Sequence, residues 1–275
     1  HFGIKPFYYA KMNGTFMYAS EIKSLLRHPD FVKELNAEAL KPYMTFQYPA
    51  IGETFFKGVY KLPEGHYFTY RDGKMDIHRY YDEDFREGKQ KLGELVNSID
   101  QTVCDSVKAH QIADVEVGSF LSSGVDSSYV AAVARPQHTY SIGFGKGTYN
   151  ESQQAGELAE LLKLNNTAES LTDEEAFAAF PRIQWHLDEP DSNPSCVPLY
   201  FLSALAAKDV KVVLSGEGAD ELFAGYIDYG VHTKFRPIKV VTRWLTHLPA
   251  GARKAIARFC KGKTFPGAWH LYANL

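Results

Sequence analysis

Cysteine is scarce in this chain, with three in 275 residues. Cys104, Cys196 and Cys260 are odd in number and far apart, so they suggest neither a disulfide framework nor a zinc-ligand spacing. Reduced thiols of a cytoplasmic protein are expected. Long apolar runs are also missing. The longest, residues 197–207, falls well short of the roughly 20 residues that cross a bilayer, and no signal peptide is visible. Charge of one sign is absent too: 30 Lys and Arg against 33 Asp and Glu leave a net −3. That balance gives no reason to expect nucleic acid or a membrane as partner. What is present is ordinary for a globular protein, with 45% hydrophobic and 23% charged residues, enough for one large domain or two small ones. The chain opens at His1, already within structured-looking sequence, and reads as a fragment.

Two periodicities divide it. Up to about Asp82 short strands alternate with turn residues. Residues 7–10 and 16–19 flank Met12-Asn13-Gly14-Thr15, a hairpin signal, and residues 59–60 and 66–70 precede Arg71-Asp72-Gly73-Lys74, where Asp-Gly suits a type I′ turn. Short helices are expected over 20–27 and 37–46. This is α+β composition with antiparallel strands. After the polar stretch 82–91 strands and helices alternate. Helices are expected over 92–110, 127–134, 151–162, 174–187 and within 197–208, with strands at 115–121, 139–144, 167–171 and 210–214. Such alternation implies a mostly parallel, doubly wound sheet with helices on both faces.

The strongest chemical signal is Phe120-Leu121-Ser122-Ser123-Gly124-Val125-Asp126-Ser127-Ser128, placed where a buried strand ends and a helix begins. Ligands of open α/β sheets bind outside the carboxyl ends of the strands. Small residues allow close backbone approach, the serines add hydroxyls, and the helix start offers unpaired N–H groups that favour phosphate. Asp126 would repel a bare phosphate and makes sense as a magnesium ligand. No Walker-type lysine is present. The bland alternative is a Ser/Gly turn with Asp126 as an N-cap.

A second loop, Ser215-Gly216-Glu217-Gly218-Ala219-Asp220-Glu221, also follows an apolar strand. Three carboxylates on a glycine-rich loop repel one another unless a cation sits among them; a solvated acidic turn is the bland alternative. Other tempting residues take the bland reading outright. Cys104 lies in an amphipathic helix and reads as core. Cys196 has no partner histidine, and His186 reads as a helix-end residue. Residues 231–275 hold nine Lys or Arg and no Asp or Glu, a solvated helical face in preference to a polyanion site.

The first loop resembles the Ser-Gly-Gly-x-Asp-Ser loop of the N-type ATP pyrophosphatases, with Ser123 in place of the usual second Gly. The second loop is similar to a signature of the asparagine synthetases. So are Asp188-Glu189-Pro190, Asn193-Pro194-Ser195 with Pro198, and Ser141-Ile142-Gly143-Phe144. Phe2-Gly3-Ile4-Lys5-Pro6, Ala19-Ser20-Glu21-Ile22-Lys23 and Leu62-Pro63-Glu64-Gly65-His66 resemble the last third of a class II glutamine amidotransferase domain. The resemblance runs in order from Phe2 to Tyr226.

It implies an adenine nucleotide alpha hydrolase-like α/β domain over 86–275, C-terminally incomplete. Part of an antiparallel Ntn-hydrolase-type glutaminase domain would precede it over 1–85. It implies synthesis of asparagine from aspartate and glutamine-derived ammonia, with ATP and magnesium, through a β-aspartyl-adenylate. Leu121, Ser122, Ser123, Gly124, Asp126, Ser127, Ile142, Ser215 and Gly216 map to nucleotide-binding positions. Asp126 and Asp220 map to metal ligands, and Glu217 to a catalytic residue. The family's N-terminal cysteine and a C-terminal catalytic lysine find no match here, so the activity of this chain alone is in question. A sibling ligase with another carboxyl substrate, such as a β-lactam synthetase-like enzyme, and a catalytically silent homologue both stay open. So does a homodimer.

Overall fold

Two antiparallel hairpins dominate the first 82 residues, and each turns where the sequence asks it to. The computed structural model describes residues 1–84, 88–144, 151–226 and 248–260. Strands β1 (Tyr8–Met12) and β2 (Thr15–Ala19) pair antiparallel across Asn13-Gly14, and β4 (His66–Arg71) pairs with β5 (Lys74–Arg79) across Asp72-Gly73. All four turn residues have positive φ, between 50° and 83°, as a type I′ turn requires. Strand β3 (Val59–Lys61) adds to β1, giving the order β2-β1-β3.

The two sheets share no strand pairing; aromatic rings join them. Phe16 stacks on Tyr70 at 4.1 Å between centroids, and Phe68 meets both Phe7 and Phe16 edge-on at 5.3 and 5.8 Å. Behind this layer lies a small core of Ala10, Met17, Ile22, Leu25 and Val59. Ile22 belongs to α1 (Ile22–Leu25), which is shorter than the expected 20–27 because Glu21 is still extended. A 3-10 turn (Ala37–Ala39) and α2 (Leu40–Phe46) follow.

The second part begins with α3 (Leu92–His110), and then winds β6 (Val117–Phe120), α4 (Val125–Ala134), β7 (His138–Phe144), α5 (Glu151–Leu162), β8 (Asn165–Leu171), α6 (Asp173–Leu187), α7 (Cys196–Ala206) and β9 (Val212–Leu214). All three pairings are parallel, and the order across the sheet is β8-β7-β6-β9. The chain therefore steps from β6 to β7 to β8 in one direction, then returns to place β9 on the other side of β6.

That reversal puts helices on both faces. Leu121, Ala131, Ala155 and Ala159 form one core with α4 and α5. Tyr140, Leu205, Ala206 and Val210 form another with α7, flanked by Phe120, Ile142 and Val213. Adjacent residues Phe120 and Leu121 serve opposite faces, as the two-residue period of a strand dictates. The expected doubly wound sheet is present.

By compactness the chain divides into His1–Leu214 and Ser215–Leu275. The described part of the second unit holds two helices, α8 (Ala219–Phe223) and α9 (Ala250–Cys260). Most of the basic run over 231–275 lies outside the described residues. No described helix is long and apolar enough to cross a membrane.

Candidate functional site

The crevice of a doubly wound sheet opens where strand order reverses, at the carboxyl ends of the strands either side of the reversal. Here those strands are β6 and β9, parallel neighbours with Ser119 opposite Leu214. The serine loop leaves β6 at that edge.

Its first residue is fixed from both sides. The Leu121 N–H donates to the Tyr140 carbonyl at 2.8 Å, and its own carbonyl accepts from the Ser141 hydroxyl at 2.7 Å. Ser141 is fully buried, and its oxygen also meets Asn166 Oδ1 at 3.1 Å. Thr139, two residues back on the same strand face, reaches that same Asn166 oxygen at 3.1 Å and the Asn165 carbonyl at 2.9 Å. Three strands thus contribute to anchoring the loop. Asn166 carries no motif, and only the β7–β8 register brings it there.

Past Leu121 the loop is held by its own hydroxyls. Ser127 Oγ accepts from the Ser122 N–H at 3.1 Å and lies 2.7 Å from Ser122 Oγ. Ser122 Oγ accepts from the Gly124 N–H at 3.1 Å, and the Ser128 hydroxyl donates to the Gly124 carbonyl at 2.6 Å. Ser123 is exposed and is absent from the positive-φ residues, so serine stands there without backbone strain. Helix α4 starts at Val125, and the N–H groups of Val125, Asp126 and Ser127 have no carbonyl one turn back to receive them. Gly124 is the N-cap, with no side-chain cap; Asp126 sits inside the first turn and does not cap the helix. Ile142 is half-buried on β7, two residues before the strand ends.

Ser215, Gly216, Glu217 and Asp220 belong to the second unit. The Glu217 N–H donates to Ser215 Oγ at 3.4 Å, and its side chain is exposed. The N-cap of α8 is Gly218, whose φ of 89° is costly for any residue with a Cβ, and no side chain caps that helix. Glu217 is therefore not a helix cap. The Asp220 carboxylate lies directly against the Gly225 backbone, where a Cβ would displace it. Tyr226 donates to Glu221 Oε1 at 2.7 Å. That bond first, then burial and the charges of Glu221, Asp220 and Glu217, pushes its phenol up to about 12.

Among the described residues no group of three or more His, Cys, Asp or Glu side chains is placed to hold a metal ion. Magnesium in phosphate-binding sites takes one or two carboxylates and completes its shell with phosphate oxygens and water. Asp126, half-buried in the first turn of α4 beside the serine hydroxyls, suits that role. Cys104 and Cys196 are free thiols, and burial, then the Asp191 charge, pushes the Cys196 thiol up, the opposite of activation.

A different motif does work that its sequence does not announce. Asp188 and Glu189, at the end of α6, reach the antiparallel part. Asp188 accepts from the N–H groups of Ile22 at 2.7 Å and Lys23 at 3.1 Å, and Glu189 accepts from Phe55 N–H at 2.8 Å. Tyr8 lies close enough that, after burial, the charges of Glu189 and then Asp188 help push its phenol up to about 12.

Comparison with known proteins agrees with both parts. The family model described as asparagine synthase matches residues 98–273, and one described as glutamine amidotransferase domain matches residues 1–81. The chain is 38% identical over 260 residues to glutamine-hydrolysing asparagine synthetase 1 of Bacillus subtilis, covering 93% of this chain and 40% of that protein. It is 36% identical over 280 residues to a putative glutamine-hydrolysing asparagine synthetase of Mycobacterium tuberculosis, covering 96% and 42%. A third similar protein, putative asparagine synthetase 2 of Methanocaldococcus jannaschii, is 31% identical over 237 residues, covering 82% and 46%. The chain thus spans less than half the length of each of these curated relatives.

Proposed function

The chain belongs to the asparagine synthase family, and from that membership we propose that it is part of an enzyme converting aspartate to asparagine. ATP activates the side-chain carboxylate as an acyl-adenylate, and ammonia drawn from glutamine displaces AMP. The observation that carries this reading is the serine loop at the strand-order reversal, hung from Leu121 and opening onto the first turn of α4.

Each residue then has a physical task. The N–H groups that open α4 and the hydroxyls of Ser122, Ser123 and Ser127 bind the phosphate chain and stabilise charge as pyrophosphate departs. Leu121, Gly124 and Ile142 shape the nucleotide side of the cleft, and Ser215 and Gly216 let backbone approach the ligand. Magnesium, when bound, neutralises phosphate charge, with Asp126 and Asp220 as candidate ligands. Glu217, which maps to the family's catalytic position, serves adenylation in this reading; it is exposed and does not cap α8. The domain split proposed is 1–85 for the amidotransferase part and 86–275 for the synthetase part. The protein is taken to work in the cytoplasm.

The test is ATP–pyrophosphate chemistry in the intact protein with ammonia supplied. Pyrophosphate release that depends on aspartate and yields asparagine supports the reading. Release that depends on another carboxylic acid, with none for aspartate, would replace it with a sibling ligase.

A further inference from the structure

The joint made by Asp188 and Glu189 is built in a way that phosphate chemistry does not require. Asp188, the residue after α6, has a positive φ of 65°, and its carboxylate reaches α1. That carboxylate takes the first two N–H groups of α1, while Lys23 of α1 returns the contact. Its ammonium lies 2.9 Å from Asp188 Oδ1 and donates to the His186 carbonyl at 3.2 Å, in the last turn of α6. An anion from α6 thus meets the start of α1, and a cation from α1 meets the end of α6, the favourable sign at each terminus. Side-chain exposure is 6% for Asp188 and 15% for Lys23, so the pair is shielded from solvent.

Such pairs add little net stability, since desolvation offsets their attraction, but they tolerate few geometries. The second contact sits close by. Glu189 is half-buried and spends its Oε1 on Phe55 N–H, beside the Leu35–Phe56 bridge. Both contacts fall on backbone N–H groups of the amidotransferase-type part, so they set position without depending on the side chain of Ile22 or Phe55. On the other side, the loop after Glu189 is tied back to α6. Gln184 exchanges two hydrogen bonds with the Asp191 backbone, at 3.0 and 3.1 Å. It then enters α7, whose Leu205 and Ala206 pack on Tyr140 of the sheet. Tyr140 is the residue whose carbonyl holds Leu121.

We propose that Asp188 and Glu189 are positioning residues that lock the amidotransferase-type part onto the nucleotide sheet and so keep glutamine use coupled to amide formation. The lock itself is read from the structure; the coupling rests on the function proposed above. The conservative variant Asp188→Asn suits a positive φ better than most residues and keeps one acceptor but loses the charge. Lys23→Gln attacks the same pair from the other side and leaves both Asp188 oxygens in place, so it serves if the first variant folds poorly.

In the intact protein, hydrogen–deuterium exchange at the N–H groups of Ile22, Lys23 and Phe55 should speed up by about tenfold in either variant. Asparagine formed per glutamine hydrolysed should fall by about fivefold, while ammonia-dependent synthesis stays within about twofold of wild type. Unchanged exchange in a folded variant overturns the lock. Faster exchange with an unchanged ratio, or with ammonia-dependent synthesis falling in parallel, overturns the coupling role. A wild-type protein that makes no asparagine from ammonia sinks the functional reading instead, and the exchange measurement still decides the lock.

Discussion

The hydroxyls of Ser122 and Ser127 lie 2.7 Å apart, closing the serine loop on itself from the residue after Leu121 to the first turn of its helix. Ser127 also takes the Ser122 N–H. Ser127→Ala removes both contacts and one hydroxyl facing the proposed phosphate site. ATP affinity should weaken by about tenfold, the worth of one to two polar contacts, while unfolding stability changes by less than about 1 kcal/mol. Titration calorimetry beside a urea melt checks both. Equal affinity for wild type and variant would remove Ser127 from the site.

The anchor beneath the loop should behave differently. Ser141→Ala leaves the buried Leu121 carbonyl without its hydroxyl donor and takes a partner from Asn166. A cost of about 1–2 kcal/mol in unfolding free energy is expected, with a smaller change in ATP affinity. A variant as stable as wild type would show that the strand holds Leu121 unaided.

Glu217 separates binding from chemistry. Glu217→Gln keeps shape and reach but loses the charge. In the intact protein ATP affinity should change little, while aspartate-dependent pyrophosphate release falls by about a hundredfold or more. Near-normal release would take Glu217 out of the reaction.

A pH effect belongs to the start of α6. The Glu175 carboxyl is held below its ordinary range by the Thr172 N–H and then the Thr172 hydroxyl, in a reciprocal cap. Because its folded value is depressed, its contribution is present above the unfolded carboxylate value and is lost as pH falls through the folded one. Thr172→Ala should cost about 1 kcal/mol at neutral pH, the usual N-cap penalty. The gap between variant and wild type should narrow in acid; urea melts across that range that keep a constant gap would refute it.

Cys104 and Cys196 are free thiols, neither lies in a motif that activates a thiol, and burial pushes the Cys196 thiol up. The double Cys→Ser protein should keep ammonia-dependent synthesis within about threefold of wild type. A folded variant reduced by about a hundredfold would assign one of the thiols a role.

Much of the scaffold was legible because local signals ruled it. Helices 92–110 and 151–162 fall where periodicity puts them, and both Asx-Gly hairpins turn as read. Ends set by tertiary contacts were less so. Helix α4 begins at Val125, two residues before the expected Ser127, because the loop hydroxyls already hold Gly124 as its cap. The serine loop could be found from its spacing, but its anchor could not: Asn166 meets Ser141 only through the β7–β8 register. Asp188-Glu189-Pro190 was visible as a family mark and silent as a joint, since its partners lie 166 and 134 residues away in the chain. Contacts of that span leave no local periodicity to read.

The ring layer between the two hairpins has an optical consequence. Phe16, Tyr70, Phe7 and Phe68 are clamped against one another, whereas the segment from Leu121 to Ser128 contains no aromatic residue. Near-ultraviolet circular dichroism responds to aromatic side chains fixed in tertiary packing. All three tryptophans, Trp185, Trp244 and Trp269, lie outside the antiparallel part. The tyrosine and phenylalanine bands should therefore carry this ring layer while the tryptophan band reports the rest of the chain, which makes the spectrum a built-in gauge for locating damage to the scaffold.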